Sequence, residues 1–437
     1  DVQTRGGPFS LSDGFADIDI DSIVLNGNRK VVKDGHLQGT VAFTPFIPRE
    51  NKGLKVLEYL SVDADIKTLT DSLAFLNIYL EGFHGMKVSG RGNVDGHVSY
   101  HLGSLQAGND VRISADELSV DLLDYRAQGS GAIRLEVDEA TPDVMAFEIK
   151  FAELKGLDRN SNDVLATGSG MTFSGKGKTQ LLPVNGDEGI ASYLAIGVPS
   201  LKVPDLAMYQ RFLPAAWPFK LLGGEGELQG KVELTQTGFS GFSRLSSKKA
   251  DVEVKDFQFL TDLDLNLNID APNLADTGID VAGSYFRMDN ARISNEEAGS
   301  SEPWQASIDI DQGRLKFLLP ESIDRNASLK DLLAGIKGHE ILPMLDSDSE
   351  QLKLRGRITD LRWLNVLLKN RFNLNIKGAG DITANVVIAT GWPAPGTDLR
   401  IKPKQLVVEV LDYVATGGGG GHLTLAVEKG GENPDIV

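Results

Sequence analysis

The chain contains no cysteine. Disulfides, thiolate metal sites and cysteine nucleophiles are excluded by that absence alone, and it suits an oxidising compartment in which a stray thiol is a liability. Long apolar runs are missing as well: none approaches the roughly 20 residues that a membrane-spanning helix needs. Asp1 opens into polar, Gly-rich sequence with no signal peptide. If the intact protein is exported or anchored, the segment responsible is expected outside this chain.

Basic charge is scarce. Lys and Arg number 44 against 61 Asp and Glu, a net charge of -17. Phosphate binding needs clustered Lys and Arg to release counterions, so nucleic acid is excluded as a partner. The same deficit argues against a chain lying flat on an anionic bilayer. Aromatic residues are only 7% of the chain, too few for the stacked platforms of a carbohydrate-binding surface. No Pro/Ser-rich linker divides the sequence, which favours one continuous architecture over residues 1–437 instead of separate globules.

What is present is a repeat. Residues 65–137 align without a gap on residues 353–425, with about 21 of 73 positions identical. Leu73, Leu76, Asn77 and Leu80 fall on Leu361, Leu364, Asn365 and Leu368, and Gly90 and Gly92 fall on Gly378 and Gly380. Asp110, Arg112 and Ile113 fall on Asp398, Arg400 and Ile401, and Asp124-Tyr125 on Asp412-Tyr413. A diverged third copy runs from Asp205 through Leu213 into Leu221-Leu222-Gly223-Gly224-Glu225-Gly226, where the spacing of Gly90, Gly92 and Gly96 recurs. The copies are placed approximately at 65–150, 201–290 and 353–437. Each reads as a short amphipathic helix, a strand, a G-x-G turn and a series of strands.

In the first helix Leu69, Leu73, Leu76 and Leu80 share one face. Asp360 is the expected N-cap of the last, and Ser328 with Asp331 reads as a capping box. Elsewhere period two dominates, as in Asp17-Ile18-Asp19-Ile20-Asp21, Asp262 to Asp270, Ile308-Asp309-Ile310 and Leu118 to Leu122. Such alternation describes antiparallel strands with one wet face and one apolar face. With a strand about every 12 residues the chain would hold some thirty strands and extend on the order of 100 Å. The expected fold is therefore mainly β: an elongated, curled antiparallel sheet with a few short amphipathic helices. The first copy runs on past Pro142-Asp143-Val144 into another strand, whereas the last reaches the same phrase at Pro434-Asp435-Ile436. A fragment cut within a repeat is expected, with a groove that continues beyond Val437.

No catalytic constellation stands out, and neither enzyme activity nor a cofactor is expected. His36, His97 and His101 lack the third ligand and spacing of a zinc site. The acids at Asp17, Asp19 and Asp21 follow from strand alternation without any calcium. Gly90 to Gly96 is followed by strands where a dinucleotide loop needs a helix, so it reads as a turn or strand bend. Gly417 to Gly421 reads as a flexible strand entry or a close approach of backbones. Asn326-Ala327-Ser328 is a glycosylation sequon, meaningful only in a eukaryotic secretory setting.

The order of short helix, strand, G-x-G and alternating strands, with the phrase Phe219-Lys220-Leu221-Leu222-Gly223-Gly224-Glu225-Gly226-Glu227-Leu228, resembles the AsmA-like superfamily of bacterial envelopes. AsmA, TamB and YdbH are members, and the eukaryotic repeating β-groove proteins are relatives. The resemblance covers most of the chain and rests on patterns of polarity and glycine. It implies a periplasmic β-groove, anchored to the inner membrane by a segment outside this chain, that conducts phospholipid acyl chains between the inner and outer membranes, with partner proteins at its two ends. The alternative it carries is a structural or chaperone role, in which exposed strand edges template outer-membrane proteins. The residues expected to line the groove are Ile18, Ile20, Val98, Val111, Ile113, Val120, Leu122, Val232, Leu234, Leu263, Leu265, Leu267, Ile308, Ile310, Ile401, Val408 and Val410.

Overall fold

The computed structural model describes residues 7–25, 29–80, 83, 85–180, 191–212, 219–235, 237–254, 257–273, 278–295, 299–316, 350–362, 365, 374–389, 392–410, 413–427 and 434–436. The Ser328/Asp331 capping box, the Asn326 sequon, Leu213, Leu364, Leu368 and Asp412 lie outside them. Strands make up 74% of the described structure and helices 6%, so the fold is almost wholly antiparallel sheet. No helix among the described residues is long and apolar enough to cross a membrane.

The chain divides into two compact units. The first comprises Asp1–Val164, Gly168–Gly197 and Glu233–Gln236; the second comprises Leu165–Thr167, Val198–Val232 and Thr237–Val437. The first unit is a meander. Strands β1 (Phe9–Leu25), β2 (Arg29–Phe46), β3 (Leu60–Thr70) and β4 (Lys87–His101) pair in order, each antiparallel to the last. They continue through β5 (Asp110–Leu122), β6 (Tyr125–Val137), β7 (Val144–Asp158), β8 (Thr172–Lys178) and the first half of β9 (Ala191–Val203).

The second unit repeats the plan. Ser200 of β9 donates a hydrogen bond to Glu227 of β10 (Phe219–Thr235) at 2.7 Å. Beyond it lie β11 (Phe239–Val254), β12 (Phe257–Ala271), β13 (Tyr285–Asn295) and β14 (Trp304–Lys316). The ladder goes on with β15 (Glu350–Ile358), β16 (Leu374–Ala389), β17 (Asp398–Val410) and β18 (Gly421–Val427). From β11 onward every neighbour pair is antiparallel.

In strands of 13 to 18 residues sheet twist accumulates, and bulges in some of them let the ladder follow it. Five of the register slips are marked in the sequence by adjacent polar residues. Asp116-Glu117, Lys248-Lys249, Asp289-Asn290, Asp311-Gln312 and Lys404-Gln405 each interrupt an alternating run, and a register shift accompanies each. All ten side chains are exposed. A bulge absorbs one extra residue on the wet side, so the next apolar side chain returns to the same face.

The helices are shorter than the leucine spacing suggests. Leu69 ends β3 instead of opening a helix; only Leu73–Leu76 (3-10) and Asn77–Leu80 (α) turn helically. Backbone pairing of Leu69 with Asn93 outweighs its helical spacing. Leu206–Phe212 is a 3-10 helix as well. The G-x-G element is no turn: Gly90 and Gly92 lie inside β4, and Gly378 and Gly380 inside β16. Gly90, Gly224 and Gly378 have φ of 133°, 119° and 145°, where a side chain is strained. Gly417, Gly418 and Gly419 have open space around them, so that run is not a close approach of backbones.

A Cβ added at Gly90 would sit 2.0 Å from the Glu117 carbonyl oxygen, whereas one at Gly417 meets nothing. Urea denaturation of Gly90→Ala is expected to show a loss of about 1–3 kcal/mol. Gly417→Ala should stay within about 0.5 kcal/mol of the parent.

Candidate functional site: a charge-free sheet face

Cross-strand partners in an antiparallel ladder lie on the same face, so the registers assign a face to every strand residue. In the first unit one row runs Ile18, Leu37, Ile66, Gly96, Val111, Leu135, Phe147, Gly175, Leu194. In the second an equivalent row runs Leu245, Leu265, Phe286, Ile308, Gly356, Ile382, Ile401. Neighbouring rows on this side are equally apolar. Among the strand residues from β1 to β8 and from β11 to β17 whose side chains are described, the registers put one Asp, Glu, Lys, Arg or His on this face. It is Asp158 at the end of β7, whose carboxylate accepts the N–H groups of Asn160 (2.7 Å) and Ser161 (3.2 Å) in a turn.

The face is not uniformly closed. Of the expected lining residues, Ile18, Leu267 and Val410 are 46%, 38% and 37% exposed. Ile20, Val98, Leu122, Val232, Leu263, Leu265, Ile308, Ile310, Ile401 and Val408 are half-buried. Val111, Ile113, Val120 and Leu234 are buried and belong to the packed core. Their placement follows the helical segments. In the first unit Leu73, Leu80, Phe83 and Met86 are sealed, and the Phe83 ring meets that of Phe147 edge-on at 4.7 Å. In the second, Leu361 packs with Trp304, Ala306 and Ile358, and Leu206 with Val203 and Ala250.

The opposite face carries the ions, arranged as cross-strand pairs. Arg126 grips Asp121 with two bonds (2.6 and 2.9 Å), and Arg244 grips Asp264 in the same way (2.8 and 2.9 Å). The repeat is chemical as well as geometric: Asp110 lies between Arg112 (2.8 Å) and Arg134 (3.1 Å), while its counterpart Asp398 holds Arg400 (3.0 Å) and His422. His36 reaches Asp19 at 2.9 Å and Asp17 at 3.7 Å; His97 reaches Asp65 at 3.0 Å and Asp63 at 3.7 Å. His101 meets the Ser61 hydroxyl at 2.8 Å. These histidines thus serve strand pairing, and no group of three or more metal-ligating side chains occurs among the described residues.

Sequence reading missed two features of the apolar face. One is the set of amides Asn77, Gln210 and Asn365, which bond strand backbone from the helical segments. The signal was available, since Asn77 and Asn365 are identical in the aligned copies. The other is Tyr79, whose hydroxyl is buried with no hydrogen-bond partner among the described residues. Burial pushes its pKa well above the ordinary phenol range.

No family model, curated protein or solved structure matches this chain.

Two outcomes follow for stability. Tyr79→Phe deletes an unsatisfied buried hydroxyl, so its urea midpoint should equal or exceed the parent's, by up to about 1 kcal/mol. On the polar face, Arg134 above all, then Arg112, hold the Asp110 carboxyl below the usual carboxylate range. The folded pKa is lowered, so this contribution is present above the unfolded value of about 3.9 and is lost as pH falls through the folded one. Asp110→Asn should therefore flatten the acid limb of a melting-temperature profile taken from neutral pH downward. The effect is small, at most about 1 kcal/mol, because solvent screens the pair.

Proposed function

We propose that the charge-free face is a path for lipid acyl chains, and that the protein carries phospholipid between the inner and outer membranes across a bacterial periplasm. The observation that carries this reading is the half-open row Leu245, Leu265, Phe286, Ile308, Gly356, Ile382 and Ile401, where seven strands in succession present apolar atoms and no charge. A purely structural sheet face of this kind would be covered along its whole length; here Leu267 beside the row is 38% exposed.

The mechanism is one of solvation. Each CH₂ of a lipid tail exposed to water costs about 0.8 kcal/mol, so transfer through solvent is very slow. A strip of apolar side chains replaces that water with contacts that have no preferred direction. A chain lying on it can slide, because no specific bond has to break. The headgroup, left at the margin, stays hydrated, and the ion pairs of the other face keep the sheet soluble. The strong net negative charge, -17, keeps the polar face off anionic membrane surfaces. Partner proteins at the two ends would make the membrane contacts.

A second reading rests on a different observation. Strand β1 is 17 residues long, and β2 is its one strand partner among the described residues. Its outer edge could template a client strand, as a chaperone of outer-membrane protein assembly would require. The two readings separate on one substitution. Leu265→Asp puts a charge in the row and is expected to abolish phospholipid uptake by delipidated protein while leaving strand pairing at β1 intact. A photoreactive residue at Leu265 should crosslink to phospholipid in the parent. Undiminished uptake in Leu265→Asp, with no lipid adduct at position 265, would remove the basis of the lipid reading.

A further inference from the structure

Three short segments, each leading into a strand that carries a glycine at positive φ, share a construction that goes beyond their order in the chain; the 3-10 helix Gly53–Tyr59 has no side-chain cap and stands apart. Each opens on a side chain that accepts the N–H two residues ahead: Ser72 from Ala74 (3.4 Å), Asp205 from Ala207 (2.9 Å) and Asp360 from Arg362 (2.8 Å). Next comes a leucine, Leu73, Leu206 or Leu361, with exposure of 0%, 1% and 2%. Five residues after the cap stands an amide, and it bonds the strand residue eleven positions further on. Asn77 donates to the Val88 carbonyl (3.0 Å) and accepts from its N–H (2.7 Å). Asn365 does the same with Ile376 (2.8 and 2.5 Å), and Gln210 accepts from the Leu221 N–H (2.7 Å).

An amide side chain offers one acceptor and two donors, so it can engage strand backbone much as a neighbouring strand would. It does so close before the glycine at positive φ in each copy, Gly90, Gly224 and Gly378. The cap sets where the segment starts and the amide ties its far side to the sheet. Between them the leucine is pressed onto the apolar face.

What the segment covers is graded by distance. In the second unit Ala306 and Ile358 lie beside Leu361 and are closed, at 4% and 7% exposure. Two residues along the same strands, Ile308 is half-buried, and the row beyond holds exposed Leu267. In the first unit the gradient is weaker: beside sealed Ile113 and Ile133, Leu135 in the next row is half-buried but Val111 is still closed at 8% exposure.

We propose that Asn77, Gln210 and Asn365 are the fastenings of three straps that seal one margin of the apolar face, so that a bound acyl chain is confined to the rows beyond them. This inference rests on the lipid reading. It makes the amides positioning residues: they touch no lipid themselves, yet they decide which part of the face lipid reaches.

The test places a photoreactive residue either at Leu265, in the open row, or at Ile358, beside Leu361, in full-length protein loaded with phospholipid. The parent should give a lipid adduct at position 265 and little at 358. Asn365→Ala removes three hydrogen bonds, two to the Ile376 backbone and one to the Asn375 side chain, and the adduct at 358 should rise roughly 5- to 30-fold with the adduct at 265 unchanged. Amide hydrogen exchange provides a readout independent of lipid: Ile376 should lose protection while Ile382 keeps it. Should Asn365→Ala unfold the protein, Asn365→Asp keeps the acceptor, loses the donor, and should give a smaller rise. Equal labelling at 358 in parent and variants overturns the strap while leaving the lipid reading standing. An absent adduct at 265 in the parent removes the lipid reading, and the strap's role with it.

Discussion

The segregation of charge to one side of every strand is the constraint on which this protein depends. An antiparallel strand alternates its side chains, and a slip of one residue would carry a whole row of carboxylates onto the apolar side. The ion pairs guard against that slip. Arg126 with Asp121 and Arg244 with Asp264 are formed across neighbouring strands, and each is satisfied in one register only. Each pair is worth little in a solvated setting; their shared effect is to penalise misregister along the ladder. Stability comes from apolar burial, and specificity from charge.

Long strands put this scheme under strain, because twist accumulates. At five of the slips the solution is a polar doublet, such as Asp116-Glu117 or Lys248-Lys249, where two successive side chains face solvent. The apolar phase is preserved on either side. Glycines at Gly90, Gly224 and Gly378 do related work at points where neighbouring backbone leaves no room for a side chain, or little. The result is a face that stays nearly free of charge over many strands even though several of them carry a bulge.

Such a face has to be covered or used. The helical segments cover part of it: Leu73, Leu206 and Leu361 are anchored by caps and amides that recur in the three copies. The part they leave half-open is what distinguishes this sheet from an ordinary core, and it is the reason for reading it as a lipid path. A closed core would gain from burying Leu265 and Ile308 as completely as Ile113.

Much of this was legible in the residues. Period two in Asp17 to Asp21 or Asp262 to Asp270 requires strands with one apolar face, because no other regular structure places alternate side chains on opposite sides. The aligned copies pointed to a repeated architecture, and the strand partners put Ile18, Ile113, Leu265, Ile308 and Ile401 on the apolar side. What sequence by itself could not decide is which of them are open. Val111, Ile113, Val120 and Leu234 alternate as cleanly as Leu265 and Ile308, yet they are sealed. Leu69 keeps helical spacing with Leu73, yet it pairs in a strand with Asn93. Alternation is a local property, set by neighbours along the chain. Burial is set by what arrives from elsewhere: the next strand, a bulge that shifts it, or a leucine fastened through an amide to a backbone eleven residues away. Only the tertiary structure brings those together.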